Sequence, residues 1–536
     1  MSQGVRVRTL RACCLAAAVA LAPIAHGAGS TADFQVMEAT VDSVQQAYAQ
    51  KRLSSRQLVQ MYLDRIAAYD QRGPKINSII NLNPRALAEA DRLDAAYAKS
   101  GPVGPLHGIP VLIKDQADVA GLPTTLGSVL FKDFVPEKDS FVAARLKAAG
   151  AIILGKTTLG ELGGGDTYGS LFGATSNPYA LDRTVGGSSG GTAASITANF
   201  ATIGVGQEGN SSIRRPSAWT SLVGMRPTAG LVSRSGVWGG WPSLYGSLGP
   251  MARNVSDLAR LLDVMVGYDA EDPLTAYGVG HVPANGYTSF LDRAGLKGAR
   301  VGVIRESISY NAEPATEDFR KVDRVFERAV GEMRAAGAVV IDNIVIPDLN
   351  ALIAKRASGP DDAKAIDVYL ARNASAPFKS RAELYTPANL ARVGAHKQMG
   401  GERVEQTPAE VAAAAERHYQ SLVARDQLLH NILKVMADNN LDAIVHKSVE
   451  HSPTFIKDGI NPPYQNHKGV ITINTTSVFA SSMSVPAGFT EDGLPVGITL
   501  LGRPYAEPVL LKLAYAYEQA TRHRKPPSTT PALPGR

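Results

Sequence analysis

Two serines in glycine-rich surroundings are the residues best suited to chemistry. Ser188 lies inside the run Gly186–Gly191, whose sequence is Gly-Gly-Ser-Ser-Gly-Gly, and Ser212 follows it 24 residues later. Glycines beside a serine let the backbone approach a ligand closely and adopt dihedral angles that other residues resist. The intervening residues, 192–206, have the pattern of a helix followed by a strand, which argues against a flexible Gly-Ser linker.

The candidate base for these serines is Lys114. A serine hydroxyl is a poor nucleophile and needs a neighbouring histidine or lysine to remove its proton. Lys114 follows the apolar residues 109–113, which predict a buried strand. If the amine is buried with that strand, desolvation lowers its pKa toward the range that a general base requires. A solvated lysine at a strand end is the alternative interpretation.

Four sequence blocks, taken together and in order, resemble the amidase signature family. They are Leu106–Asp115 (LHGIPVLIKD), Gly186–Gly191 (GGSSGG), Ser212–Arg214 (SIR) and Val223–Thr228 (VGMRPT). The likeness covers most of the chain apart from residues 1–27 and the region around 345–440. It implies hydrolysis of a carboxamide to a carboxylic acid and ammonia or an amine, with no cofactor and a small-molecule amide as the partner.

The resemblance also implies a role for each candidate residue. Lys114 would be the base, Ser188 a bridging serine whose peptide bond is cis, and Ser212 the nucleophile that forms an acyl-enzyme. Protons would pass from Ser212 to Ser188 and on to Lys114, and then return to the leaving amine. Ser211 is a rival nucleophile, which its place one residue before the matching block disfavours.

The loop before Ser212 departs from the family's usual Thr-Asp-Thr-Gly-Gly-Ser, since residues 207–212 are Gln-Glu-Gly-Asn-Ser-Ser. By the resemblance, the backbone amides of Gly209, Asn210 and Ser211 would bind the oxyanion. Two of these positions, normally glycine, therefore carry side chains. Backbone donors survive such a replacement, whereas the dihedral angles of the loop change. We expect an effect on rate and substrate fit more than on reaction class.

Three neighbouring polar residues are expected to support the loop rather than react. Glu208 and Arg214 flank it and are predicted to hold it in place, an ordinary ion pair being the alternative. Ser189, beside Ser188, is assigned to the same supporting group.

Clues to the substrate are fewer. The stretch 237–245 contains two of the three tryptophans and could line a pocket for apolar or aromatic groups. Gly163–Gly165 could leave room opposite that wall. Core packing or a surface lid explains the aromatic stretch equally well.

Alternating helix and strand patterns along the 536 residues predict an α/β fold. Strands are predicted at 151–155, 300–304, 442–446 and 496–501, and helices at 141–149, 315–336, 409–439 and 507–522. We expect one large amidase-signature-type domain over residues 28–536, with a mixed, mostly parallel sheet covered by helices on both faces. A helical insertion is predicted at about 347–440, and a proline-rich tail after residue 525.

Residues 1–27 have the pattern of an export signal. Three arginines precede the apolar run Cys13–Ala25, and Ala25-His26-Gly27 places small residues at the cleavage spacing. The run is shorter than the roughly 20 residues that a membrane-spanning helix needs. We therefore predict a periplasmic or secreted protein with no stable membrane insertion after cleavage. An uncleaved anchor or a core helix is the alternative.

Charge and composition exclude several classes of protein. The 55 basic and 49 acidic residues form no block of like charge, and cleavage would lower the formal charge of +6 by three, so no nucleic-acid partner is expected. The ten histidines lie in no ligand motif, so no metal is expected. A composition of 44% hydrophobic and 19% charged residues excludes a disordered chain. A homodimer is left open.

Other functions compete with an amidase. An α/β-hydrolase-type serine esterase using Ser188 is the main alternative, because Gly186–Gly190 also satisfies Gly-x-Ser-x-Gly. That esterase would need a histidine, and the candidates are His446, His451, His467 and His523. A secreted binding protein that lost catalysis through Asn210 and Ser211 is a second alternative. A component of a tRNA-dependent amidotransferase shares the family's motifs, but the predicted export disfavours it.

Overall fold

The computed structural model describes residues 1–2, 34–394, 407–461 and 468–534. The apolar run and the cleavage site predicted within residues 1–27 lie outside the described residues, as does His467. Among the described helices, none combines the length and the apolar character that crossing a bilayer requires.

The described strands form one large sheet and three small ones. The strands of the large sheet are β1 (Ile79–Leu82), β2 (Pro110–Lys114), β3 (Ile152–Thr157), β8 (Ile203–Glu208), β9 (Val223–Arg226), β10 (Ser247–Ala252), β11 (Arg300–Val303), β13 (Val339–Ile341), β14 (Ala443–Lys447), β16 (Ser482–Phe489) and β17 (Pro495–Leu501). Their order across the sheet is β1-β3-β2-β8-β10-β9-β16-β17-β14-β11-β13. The small sheets pair β4 (Tyr168–Gly169) with β5 (Gly173–Ala174), β6 (Ser176–Asn177) with β7 (Ala180–Thr184), and β12 (Ser309–Tyr310) with β15 (Val470–Ile471).

Helices alternate with these strands along the chain. In the described residues they are α1 (Val41–Ala49), α2 (Ser55–Tyr69), α3 (Ala86–Ser100), α4 (Phe141–Ala148), α5 (Gly190–Thr197), α6 (Arg214–Trp219), α7 (Val255–Met265), α8 (Glu317–Ala335), α9 (Leu349–Ala354), α10 (Pro360–Arg372), α11 (Arg381–Leu384), α12 (Pro387–Leu390), α13 (Pro408–Asp438), α14 (Ile456–Ile460), α15 (Ile473–Thr476) and α16 (Glu507–Thr521). Strands β3, β11, β14 and β17 and helices α4, α8, α13 and α16 confirm the sequence predictions, with ends that differ by two residues or fewer.

The predicted mixed sheet is confirmed, and its parallel pairs lie toward its two ends. Strand β2 is parallel to both β3 and β8, and β11 is parallel to both β13 and β14. Helix α4 connects β2 to β3, and α8 connects β11 to β13, as parallel neighbours require. The expectation of mostly parallel pairing does not hold at the centre. There, every adjacent pair from β8 to β14 is antiparallel, and the short turn between β16 and β17 makes a hairpin.

Cover on both faces follows from the burial of the strands. Every residue of β2, β3, β8 and β17 is buried, which an open face would not allow. Helix α5 packs on β2 and β8, while α16 and α8 pack on β16 and β17. The sheet therefore holds its central strand ends, including the end of β2 at Lys114, in a rigid and dry setting.

The stretch predicted as a helical insertion consists of α9 to α13 in its described residues. Helix α13 begins with a capping box, because Thr407 and Glu410 exchange backbone and side-chain hydrogen bonds and Pro408 occupies the first turn. Helix α10 is tied to the segment after β2, since Tyr369 Oη donates to Asp118 Oδ1 at 2.7 Å. Helix α10 is thereby held beside the segment that follows Lys114.

Candidate active site

Lys114 occupies the carboxyl end of β2 and is fully buried. Its Nζ atom donates to Ser188 Oγ at 2.7 Å. Burial lowers the pKa of Lys114 well below its usual range, because desolvation disfavours the ammonium, and the nearby Glu208 carboxylate only partly opposes this. A neutral lysine amine can accept a proton, so this side chain is electrostatically suited to act as a base.

Ser188 lies in the tight segment that leads into α5. The peptide bond between Gly187 and Ser188 is cis. A side chain is excluded at Gly187, where a Cβ atom would stand 2.3 Å from the carbonyl oxygen of Gly165. Glycine is therefore needed here for close backbone packing, and that packing sets Ser188 between the lysine and the next serine.

Ser212 completes a line of three side chains. It lies in the loop between β8 and α6, and Ser188 Oγ donates to Ser212 Oγ at 3.1 Å. Ser212 is half-buried and faces a cavity, whereas Ser188 is buried. The structure thus brings Lys114, Ser188 and Ser212 together in the order in which a proton relay would use them. Ser211, the rival nucleophile, does not receive the Ser188 hydrogen bond.

The Glu208 carboxylate organises the loop that carries Ser212. Its Oε2 atom accepts from the backbone N–H groups of Ile213 and Arg214 at 2.8 and 2.9 Å, and its Oε1 atom accepts from Arg214 Nε at 2.7 Å. Arg214 also donates to the carbonyl oxygen of Asn210 at 2.9 Å. The pair therefore connects the end of β8, the loop and the start of α6.

Ser189 links the two serine segments. Its backbone N–H donates to the carbonyl oxygen of Ser212 at 3.1 Å. Its hydroxyl donates to the carbonyl oxygen of Gln207 at 3.0 Å and accepts from the Gln207 N–H at 3.1 Å. The spacing between the Ser188 and Ser212 hydroxyl groups consequently depends on a short network of backbone bonds.

A cavity of about 880 Å³ opens over the loop. Gly209, Asn210, Ser211 and Ser212 line its floor, and Gly163–Gly165 line another part of its wall. Trp238 and Tyr245, from the predicted aromatic stretch, also line it, whereas Trp241 packs instead against a small core cluster. The pocket is thus large and partly aromatic.

Several lining residues escaped the sequence analysis. The helical stretch contributes Arg356, Ile366, Arg381, Tyr385 and His418 to the cavity wall. Nothing in the local pattern of that stretch signals a binding role, since its residues reach the site only through tertiary packing. In the sequence, Gln207 differs from the first threonine of the family's usual Thr-Asp-Thr-Gly-Gly-Ser, but nothing there indicated its contact with Lys114.

None of the described histidines forms a serine-histidine pair with Ser188. In the described part of the chain, the Ser188 hydroxyl bonds to Lys114 and Ser212. His446 is buried beside Lys447, where desolvation lowers its pKa to about 3, and His523 pairs with Glu332. The esterase alternative thus lacks its base among these residues. In the same ranges, no three His, Cys, Asp or Glu side chains cluster in a way that could hold a metal ion.

Comparison with known proteins agrees with this geometry. The sequence profile of the Amidase family matches residues 57–511. The chain belongs to the amidase family. An Arabidopsis thaliana protein named a probable amidase is 32% identical over 92% of both chains. A glutamyl-tRNA(Gln) amidotransferase subunit from Cyanothece is 32% identical over 90% of this chain and 98% of its own.

The solved structures include a similar enzyme. The peptide amidase of Stenotrophomonas maltophilia superimposes with a TM-score of 0.77 and 31% identity, covering 92% of this chain and 99% of its own. As a member of the amidase family, our protein hydrolyses amide C–N bonds. Its large mixed sheet, flanked by helices, matches the fold of the peptide amidase.

The buried Glu208–Arg214 ion pair leads to a prediction about the stability of the fold. Both side chains are 0% exposed, so Glu208→Gln should leave the Arg214 charge without its counterion and lower the free energy of unfolding by about 3–5 kcal/mol. Urea denaturation followed by tryptophan fluorescence measures this change. The matched control is Glu317→Gln, since Glu317 also contacts two arginines but lies exposed on α8, and its unfolding midpoint should barely move. Equal midpoints for the two variants would contradict the structural role of the pair.

Proposed function

We propose that this amidase cleaves its substrate through an acyl-enzyme on Ser212, with Ser188 as the bridge and Lys114 as the base. The observation that carries the proposal is the unbroken line of hydrogen bonds at 2.7 and 3.1 Å that joins the three side chains. The desolvated amine of Lys114 supports a basic role at one end of the line. The contact of Ser212 with the cavity supports a nucleophilic role at the other.

Acylation follows from this arrangement. Lys114 takes the proton of Ser188 while Ser188 takes that of Ser212, and Ser212 Oγ forms a bond to the amide carbonyl carbon. The carbonyl electron pair moves to oxygen, and the backbone amides of Gly209, Asn210 and Ser211 are proposed to bind that oxyanion. In a preorganised site, each such donor contributes about 2.7–4 kcal/mol.

Collapse of the intermediate releases the amine. The proton held by Lys114 returns through Ser188 to the leaving nitrogen, and the C–N bond breaks to leave an ester on Ser212. A water molecule then attacks that ester while Ser188 and Lys114 take its proton, and the proton returns to Ser212 Oγ as the ester bond breaks and the acid is released. Atoms and protons balance without any group beyond the three side chains, the substrate and water.

The shape of the cavity favours an extended substrate. A volume of about 880 Å³ exceeds the size of a small aliphatic amide, and Trp238, Tyr245 and Tyr385 offer aromatic surface. The likeness to a peptide amidase agrees with a substrate of that size. We propose an amide of an aryl acid or a short peptide as the substrate class.

The test combines activity with capture of the intermediate. Aryl, aliphatic and peptide amides, with glutamine as a further substrate, would be incubated with the enzyme and with Ser212→Ala, Ser188→Ala and Lys114→Ala. We expect turnover to fall at least a thousandfold in each variant, since residues that act as one unit each remove most of the catalysis. Ser100→Ala, an exposed serine on α3, serves as the control and should retain full activity.

Peptide mapping after an acid quench then locates the acyl group. A mass increase on Ser212 that is absent in Ser212→Ala supports the proposal. An adduct on Ser211, or full turnover in Lys114→Ala, would overturn it. Turnover of glutamine alone would favour the amidotransferase-like alternative, and no turnover of any amide would favour a binding protein.

We also propose that the enzyme is exported, on the basis of residues 1–27. Its expression in a Gram-negative host and fractionation of the cells should yield periplasmic protein that begins at Ala28, measured by intact mass. Replacement of Arg6, Arg8 and Arg11 by glutamate should trap the full-length chain in the cytoplasm. Uncleaved wild-type protein confined to the cytoplasm would contradict export.

A further inference from the structure

Gln207 contacts the amine of Lys114 twice. It lies on β8 directly before Glu208 and is buried. Lys114 Nζ donates to its main-chain oxygen at 3.3 Å and to its side-chain Oε1 at 3.4 Å. With Ser188 Oγ at 2.7 Å, these are the three hydrogen-bond acceptors around the amine in the described residues.

The three partners of the Lys114 amine differ in whether they can donate a hydrogen bond as well as accept one. Both oxygens of Gln207 belong to carbonyl groups and can only accept, whereas the Ser188 hydroxyl can accept or donate. A neutral amine has two N–H groups and one lone pair. If the two N–H groups bond to the two Gln207 oxygens, the lone pair is left facing Ser188.

The protonated amine is satisfied by the same heavy atoms. Its third N–H group takes the place of the lone pair and donates to Ser188 Oγ. Passage of a proton from Ser188 to Lys114 then only moves the hydroxyl hydrogen along the 2.7 Å hydrogen bond onto the lone pair, while Ser188 takes the proton of Ser212. No side chain has to move, so little reorganisation opposes the transfer.

Gln207 is held firmly enough to do this. Its backbone pairs with Leu248 on β10, and both its N–H and its carbonyl oxygen bond to the Ser189 hydroxyl. The amide nitrogen lies against Gly246, where a Cβ atom would stand 2.6 Å from it. The amide presents its oxygen, Oε1, to Lys114, because an NH2 group in that place could not accept a hydrogen bond from the amine.

We propose that Gln207 is a positioning residue that aims the lone pair of Lys114 at Ser188. The proposal rests on the relay of the proposed function. Without the side-chain carbonyl, only one N–H is fixed, and rotation about the Cε–Nζ bond turns the lone pair away from Ser188 for much of the time. The loss would therefore fall on kcat rather than on KM.

The charged groups around this amine are few. Glu208 follows Gln207 on β8 and is paired with Arg214 on α6. Asp115 follows Lys114 and is paired with Lys156 on β3 at 2.8 Å. Because both carboxylates are already paired, a new charge introduced at position 207 would dominate the pH dependence of Lys114.

Two variants test the proposal, with kcat and KM measured from pH 5 to 10. Gln207→Met removes the acceptor at similar length, and kcat should fall about tenfold, the equivalent of one lost hydrogen bond. The acid limb of kcat/KM should move to lower pH, because the ammonium loses an acceptor. Gln207→Glu keeps an acceptor and adds a charge, so the acid limb should move up by at least about one pH unit, with most of kcat restored above it.

Opposite movements of the acid limb, with kcat lost in Gln207→Met and retained at high pH in Gln207→Glu, would support the positioning role. Limbs that do not move would overturn it, whether kcat is unchanged or falls equally in both variants, since a purely structural residue shifts no pKa. If Gln207→Met does not fold, Gln207→Leu, which also lacks the acceptor, takes its place in the comparison. Failure of the relay itself shows separately, as activity retained in Lys114→Ala, and would overturn both proposals.

Discussion

The site depends on the burial of one lysine amine that has no carboxylate partner among the described residues. Lys114 and Lys156 lie on adjacent parallel strands, and both are fully buried. Lys156 contacts Asp115 at 2.8 Å, so its charge is compensated. Lys114 instead meets a hydroxyl and two carbonyl oxygens. Desolvation therefore outweighs the opposing effect of the Glu208 charge on Lys114, and it favours the neutral form that a base requires.

The sheet and the paired charges serve this arrangement. Strands β2 and β8 are parallel neighbours, so their carboxyl ends, at Lys114 and Glu208, lie at the same edge of the sheet. Open α/β sheets commonly place their functional residues at that edge. The Glu208–Arg214 pair fixes the loop that carries Ser212, and the packed glycine segment fixes Ser188. Each serine is thus positioned from a different element against one rigid strand end.

Sequence patterns predicted the strands and motifs that are determined by residues close together in the chain. The apolar run before Lys114 indicated β2. The glycine-serine block indicated Ser188, and the sequence after β8 indicated Ser212. The antiparallel centre of the sheet was not predicted, because pairing such as that of β9 with β16 joins segments far apart in the chain. The contact of Lys114 with Gln207 escaped for the same reason, since 93 residues separate them. The cavity wall from α10 and α11 likewise exists only through packing.

The most direct test of this account is a titration of Lys114 itself. Lysines labelled with ¹³C at Cε would be followed by NMR between pH 5 and 11, and comparison with Lys114→Met would identify the resonance. The account predicts one lysine that titrates well below 10.5, separated from the surface lysines. A Lys114 resonance that titrates together with those of the surface lysines would contradict the account, because a charged amine could not accept the proton of Ser188.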